Sequence, residues 1–226
     1  MTENIYNKKF WFFFVFAIVI MCIVTFLIQK YSDNELILFL EIIGSVVHIV
    51  VVVGFLKYFK CLDIIEKSLI FSKKKEIRNW EMLFSSLLIF IFILLVVMYP
   101  NRIHILLNKY TIGQICVTFS EELFFRVFIL GVLLYNIGLY NIESTLKIKN
   151  ICKILISLAI SSFLFAFWHI DFRHLENFDF FNFIERFNKS LIFYGMPFIV
   201  TNKKIWPGWL LHYINNMIGL LKRGII

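Results

Sequence analysis

Six polar residues in the second half of the chain have the types and spacing to do hydrolytic chemistry. The stretch FSEELFFRVF carries Glu121, Glu122 and Arg126. The stretch FLFAFWHI ends on His169, and WLLHYINNM carries His212 and Asn216. A carboxylate in a dry site can take a proton from water, and an imidazole can hold that water or donate to a leaving amine. Asn and His side chains can donate hydrogen bonds to an oxyanion. A carboxylate, two imidazoles and a carboxamide together suit amide hydrolysis.

Spacing assigns roles within each stretch. On a helix Glu122 and Arg126 share a face four residues apart, with the acid N-terminal to the base, the better order for an ion pair. Glu121 lies about 100° around the helix from Glu122. Arg126 therefore neutralises Glu122 and leaves Glu121 pointing elsewhere. A pair that only fixed packing would not account for the second glutamate. His212 and Asn216 are four apart on one face, where the blander reading is interhelical hydrogen bonding. His169 and Trp168 at a helix end would also suit an interfacial aromatic belt.

These groups sit in an apolar chain. Of 226 residues, 60% are hydrophobic and only 17% charged, and the mean hydropathy is +0.82. That balance excludes a soluble globular domain and indicates an all-α, polytopic helical membrane bundle of about 6–8 transmembrane helices. A span takes about 20 apolar residues. Candidates run roughly over 10–29, 36–56, 82–99, 112–135, 151–169, 190–200 and 205–221, the sixth being short or beginning earlier, near Phe180. Ionisable residues inside such spans are functional candidates, because each is expensive unless it faces a polar interior. The segment before residue 111 carries no motif and reads as N-terminal transmembrane helices, with 111–226 as the catalytic helical core of one integrated membrane domain.

The net charge of +8 falls mostly between apolar runs. It reads as topology determinants and contacts to anionic lipid, with no nucleic-acid partner. The basic segment from Lys57 to Arg78 has the pattern of an amphipathic helix on the inner surface, and Asp171–Lys189 that of a lid on the opposite surface. Cys22, Cys61, Cys116 and Cys152 show no CxxC spacing and read as packing residues. Ser157, Ser161 and Ser162 read as small residues permitting close helix packing. Glu41 and His48, seven apart on the second span, read as a pore or packing pair. There is no HExxH, GxSxG or Gly-rich phosphate loop.

The three stretches, in this order, resemble the motifs of the CAAX protease and bacteriocin-processing (CPBP, or Abi) family of intramembrane proteases. SEELFFR resembles its E-E-x-x-x-R motif. FAFWH resembles F-x-x-x-H through Phe165 and His169, and HYINN resembles H-x-x-x-N through His212 and Asn216. Gly195 and the NKKIWPGW approach to the last helix also resemble it, and the resemblance covers about residues 112–221. It implies that Glu121 activates water, His169 helps hold it, His212 and Asn216 stabilise the oxyanion, and Glu122 and Arg126 shape the site with Phe165. Many members have Gly after the arginine; here Val127 follows. The family is commonly labelled metalloprotease, yet the glutamate-and-water chemistry requires no metal. A divalent ion such as Zn2+ would in principle find Glu121, His169 and His212 as ligands.

The expected function is that of an intramembrane endopeptidase acting on a peptide or membrane-tethered protein, in a cell membrane and, from the Phe-, Ile-, Lys- and Asn-rich composition, in a bacterium. The alternative is a non-catalytic scaffold or bacteriocin self-immunity protein using the same cavity. A proton-relay transporter ranks below both, since no inverted repeat is visible. The excess of lysine on alternate connections places the N-terminus in the cytoplasm. A Lys74→Cys variant should therefore react with a membrane-impermeant thiol reagent only after cells are permeabilised, with the unsubstituted chain as background. Strong labelling of intact cells would reverse the orientation.

Overall fold

A computed structural model describes residues 8–31, 37–69, scattered positions between 79 and 97, 109–140, 148–170, 176 and 178–223. The described residues form helices and no strands. In chain order these are α1 (Lys8–Tyr31), α2 (Ile37–Tyr58), α3 (Asp63–Leu69), α4 (Lys109–Glu122), α5 (Gly131–Asn136), α6 (Ile148–Trp168), α7 (Phe180–Lys189), α8 (Met196–Val200) and α9 (Ile205–Arg223). Two π-helical stretches, Leu123–Leu130 and Ser190–Gly195, join α4 to α5 and α7 to α8 without a break. The bundle is thus all-α, as expected, and the short sixth candidate belongs to a longer helical run from Phe180 to Val200.

Residues Lys8–Leu27, Leu40–Tyr58 and Ile148–Trp168 are each long and apolar enough to cross a membrane. Their two faces differ in the way a lipid-embedded bundle requires. On α6, Ile156, Ile160, Phe163 and Phe167 are exposed, while Leu158, Ser161, Ser162 and Phe165 are buried. The exposed set recurs at helical spacing and suits acyl chains. The buried set carries the small hydroxyl residues that let helices approach.

The core is built around the first π stretch, all eight of whose residues are buried. The Gly131 N–H donates to the Arg126 carbonyl five residues back, the wider hydrogen bond that defines a π turn. Val127, the residue after Arg126, is completely buried within it. The N-terminal helices pack onto this stretch through aromatic rings. Phe128 meets Phe14 of α1 at 5.1 Å and Phe55 of α2 at 4.9 Å between centroids.

The basic segment expected on the inner surface is described only as far as Leu69, where α3 buries Ile64 and Ser68; residues 70–78 lie outside the described set. Of the expected lid, α7 is a helix with no buried residue, started by Asp179, whose carboxylate accepts from the Phe181 and Asn182 N–H groups. The span expected over 82–99 is described only at scattered helical positions. All four cysteines are free; Cys61 is buried and Cys22 half-buried, whereas Cys116 and Cys152 are exposed and so do not pack the interior.

Gly195 marks a place where the helices approach too closely for a side chain. A Cβ there would run into Leu158 Cδ1 and come within 3.1 Å of the Ser190 carbonyl oxygen. At Gly54 and Gly219 a Cβ would meet nothing within 4 Å. Gly195→Ala should cost about 1–3 kcal/mol by overpacking, while Gly54→Ala should be neutral or gain up to roughly 1 kcal/mol from helix propensity. Thermal melts of the detergent-solubilised variants measure both, and equal melts would show that the α6 contact is slack.

Candidate active site

Four helical elements bring the polar residues together. Arg126, completely buried, projects from the first π stretch into the middle of the bundle. Its Nε donates to Glu122 Oε2 at 3.1 Å. Its Nη1 donates to Ser161 Oγ of α6 at 3.1 Å and its Nη2 to Ser190 Oγ at 2.6 Å. Ser161 in turn donates to the Phe125 carbonyl at 2.7 Å. The guanidinium also lies 5.5 Å from the centroid of the Phe165 ring, a cation–π distance. The expected Glu122–Arg126 pair is therefore present, and it is the start of a network joining α4, α6 and the 180–200 run.

Glu122 uses its other oxygen on the last helix. His212 Nδ1 donates to Glu122 Oε1 at 3.0 Å, with both side chains buried. Tyr194 stacks on the His212 ring at 4.4 Å and 18°. The approach of α9 depends on Gly208, one helical turn before His212. A Cβ at Gly208 would stand 2.6 Å from the Tyr194 carbonyl oxygen and 3.4 Å from Glu122 Oε2.

His169 sits at the C-terminal end of α6, where its Nδ1 donates to the Phe165 carbonyl at 2.8 Å and its ring meets that of Phe165 at 4.4 Å. With Nδ1 engaged on each ring, both histidines present Nε2 to Glu121. His169 Nε2 is 3.8 Å from Oε1 and His212 Nε2 is 3.5 Å from Oε2. Glu121 keeps 13% of its side chain exposed, against 0% for Glu122, so the two neighbours occupy different environments.

A cavity of about 540 Å³ opens beside these groups, lined among the described residues by Gln114, His169, Arg186, Tyr194, His212 and Asn216 together with neighbours from α7 and α9. Asn216 donates to Gln114 Oε1 at 3.0 Å through Nδ2. An amide nitrogen has two hydrogens, and this bond uses one. All the residues singled out in the sequence thus come to one place: Glu121, Glu122, Arg126, Phe165, His169, His212 and Asn216. No group of three or more His, Cys, Asp or Glu among the described residues is disposed to hold an ion, and the two imidazole nitrogens address different oxygens of Glu121.

Sequence reasoning gave Ser161 only a packing role and assigned no role to Ser190, Tyr194 or Gly208. For Ser161 a signal existed, since Ser161, Phe165 and His169 recur every four residues on one face of α6. Gly208 stands four before His212 and had the same signal. Ser190 and Tyr194 lie on a π stretch, whose pitch helical periodicity does not anticipate.

A bundle of apolar helices around a polar pocket of this make-up has the build of a membrane-embedded peptide hydrolase. A family model described as Type II CAAX prenyl endopeptidase Rce1-like matches residues 103–218, just over half of the chain, and no curated protein or solved structure matches it. The chain belongs to that family, one of the CPBP intramembrane proteases; it is a membrane protease of CAAX type.

The three-way hold on Arg126 predicts a graded loss of stability. Arg126→Met leaves Glu122 as an unpaired buried charge and should cost about 3–5 kcal/mol. Ser161→Ala removes one acceptor and should cost about 1–3 kcal/mol. Arg126→Lys should not rescue the site, because an ammonium cannot span three acceptors as a planar fork does. Thermal stability of the three purified variants ranks them; a lysine variant as stable as wild type would mean that charge alone suffices.

Proposed function

We propose that the protein hydrolyses a peptide bond of a membrane-associated substrate with a water activated by Glu121. The observation that carries this reading is the disposition of three groups about one small space. The gaps of 3.8 and 3.5 Å from Glu121 to the two Nε2 atoms are too long for good direct hydrogen bonds and leave room for a bridging water. His169, whose proton sits on Nδ1 against a carbonyl, keeps a lone pair on Nε2. A water there donates one hydrogen to His169 and the other to Glu121, and its own lone pair faces the substrate.

The chemistry then balances on these residues. The water oxygen forms a bond to the carbonyl carbon while its proton passes to Glu121. Negative charge develops on the former carbonyl oxygen, where the second N–H of Asn216 can donate, joined by His212 Nε2 when that ring carries a hydrogen on both nitrogens. Glu121 returns the proton to the nitrogen as the C–N bond breaks. Glu122 accepts from Nδ1 of His212 and so fixes that ring, much as a carboxylate orients an imidazole in other hydrolases. Arg126 in turn fixes Glu122. No step passes through a metal.

The two glutamates are then not equivalent. Glu121→Gln keeps the shape and should leave thermal stability at or above wild type, while cleavage of a prenylated C-terminal peptide falls by roughly 10²–10⁴-fold. Glu122→Gln strands Arg126 and should lose about 3–5 kcal/mol along with activity. The same assay after chelation should retain wild-type cleavage. Normal cleavage by Glu121→Gln would refute the assignment of roles, loss on chelation restored by one equivalent of metal would refute the metal-free chemistry, and a stable wild type that cleaves nothing would favour the scaffold or immunity reading.

A further inference from the structure

A second cavity lies on the other side of Glu121. It measures about 280 Å³ and its lining among the described residues includes Thr25 of α1, Glu41, Ser45 and His48 of α2, Ser120 and Glu121 of α4, Trp168, His169 and Arg186. Glu41, Gly44, Ser45 and His48 are spaced along one face of α2, and that face, which had suggested a pore or packing pair, is turned toward the site. These residues precede the family match, which begins at residue 103.

The two cavities divide the proposed chemistry between them. Glu121 lines the smaller one, whereas His212 and Asn216 line the larger. His169 and Arg186 line both and stand at the boundary. The group that takes a proton from water therefore faces α2, and the groups suited to an oxyanion face the larger cavity.

His48 shows what the smaller cavity is for. It is 6% exposed, and neither ring nitrogen has a hydrogen-bond partner among the described residues. Its ring is held by stacking on Phe124 at 5.9 Å and by the edge of Trp168 at 5.2 Å. A neutral imidazole has one donor and one acceptor to satisfy, and buried polar atoms that lack protein partners are met by ordered water. A polar cavity of this size exceeds by far the roughly 10–15 Å³ needed for one water.

We infer that the cavity between α2 and α4 is a water chamber that supplies the hydrolytic water to Glu121 from the side opposite the peptide, with His48 as the positioning residue that holds the water file. The inference rests on the glutamate-and-water reading above. It gives the N-terminal helices, which carry no family motif, a direct part in turnover. Peptide occupying the larger cavity would otherwise stand between the site and its co-substrate.

The test uses the full-length protein in detergent or nanodiscs, with a prenylated C-terminal peptide as substrate. His48→Phe keeps a ring against Phe124 and Trp168 but offers water nothing. Thr25→Phe adds bulk at another lining residue and leaves Glu121 and both site histidines unsubstituted. Both should lower kcat about 10- to 100-fold, the scale of loss from a misplaced reactant, with KM and melting temperature unchanged. His48→Gln, which can still hydrogen-bond water, should recover part of kcat. If His48→Phe does not fold, Thr25→Phe decides. Wild-type kcat in the chamber variants beside an inactive Glu121→Gln overturns the chamber alone, as does a change confined to KM or an equal loss in His48→Phe and His48→Gln. Wild-type cleavage by Glu121→Gln overturns the reading beneath it.

Discussion

A guanidinium at the centre of an apolar bundle has several N–H groups and no water to give them to, and the rest of the site follows from meeting that demand. Arg126 finds a carboxylate on its own helix and two hydroxyls on two others. Each partner is then committed. Glu122 must face inward, which brings its second oxygen to His212. Ser161 must face Arg126, which turns the same face of α6 and carries Phe165 and His169 with it. Ser190 ties down the helical run that bears Tyr194. Glu121, excused from this network by its place one residue earlier, is left beside the cavities with two imidazole nitrogens opposite it.

The geometry is helped by two departures from α-helical form. Arg126 lies inside one π stretch and Ser190 begins the other. Wider turns of this kind recur at functional sites, and here both occur where the two chains of contact to the guanidinium start. Close approach of α9 adds the third condition. Gly208 has no side chain between Glu122 and the Tyr194 backbone, so His212 reaches a carboxylate that any larger residue would hold off.

Much of this was legible in the sequence, for reasons that differ by residue. Composition exposed the membrane bundle because lipid imposes one demand on every span. Glu121, Glu122, Arg126, His169, His212 and Asn216 stood out because ionisable and amide groups are rare at that depth. Glu122 with Arg126 needed only helical spacing. Ser161 was visible but was taken for a packing residue, since a serine in a membrane helix looks the same whether it admits a neighbour or binds one. The coupling of Glu122 to His212 spans 90 residues of chain, and no local pattern encodes it. The role of the α2 face was undetermined for a similar reason: Glu41 and His48 are placed by the packing of α2 against α4 and the stretch that follows it, not by their own neighbours.

The sequence separation of the Arg126 contacts bears on how the protein is made. A chain emerges from the ribosome N-terminus first, and Ser161 and Ser190 lie 35 and 64 residues beyond Arg126. When the fourth helix meets the translocon, neither hydroxyl has yet been synthesised. Only Glu122, four residues upstream, is on hand, and it cancels the charge of the arginine within a single turn. The glutamate that meets an imidazole in the finished protein is thus also the counter-ion that eases its own helix into lipid, before the helices bearing Ser161 and Ser190 exist to receive it.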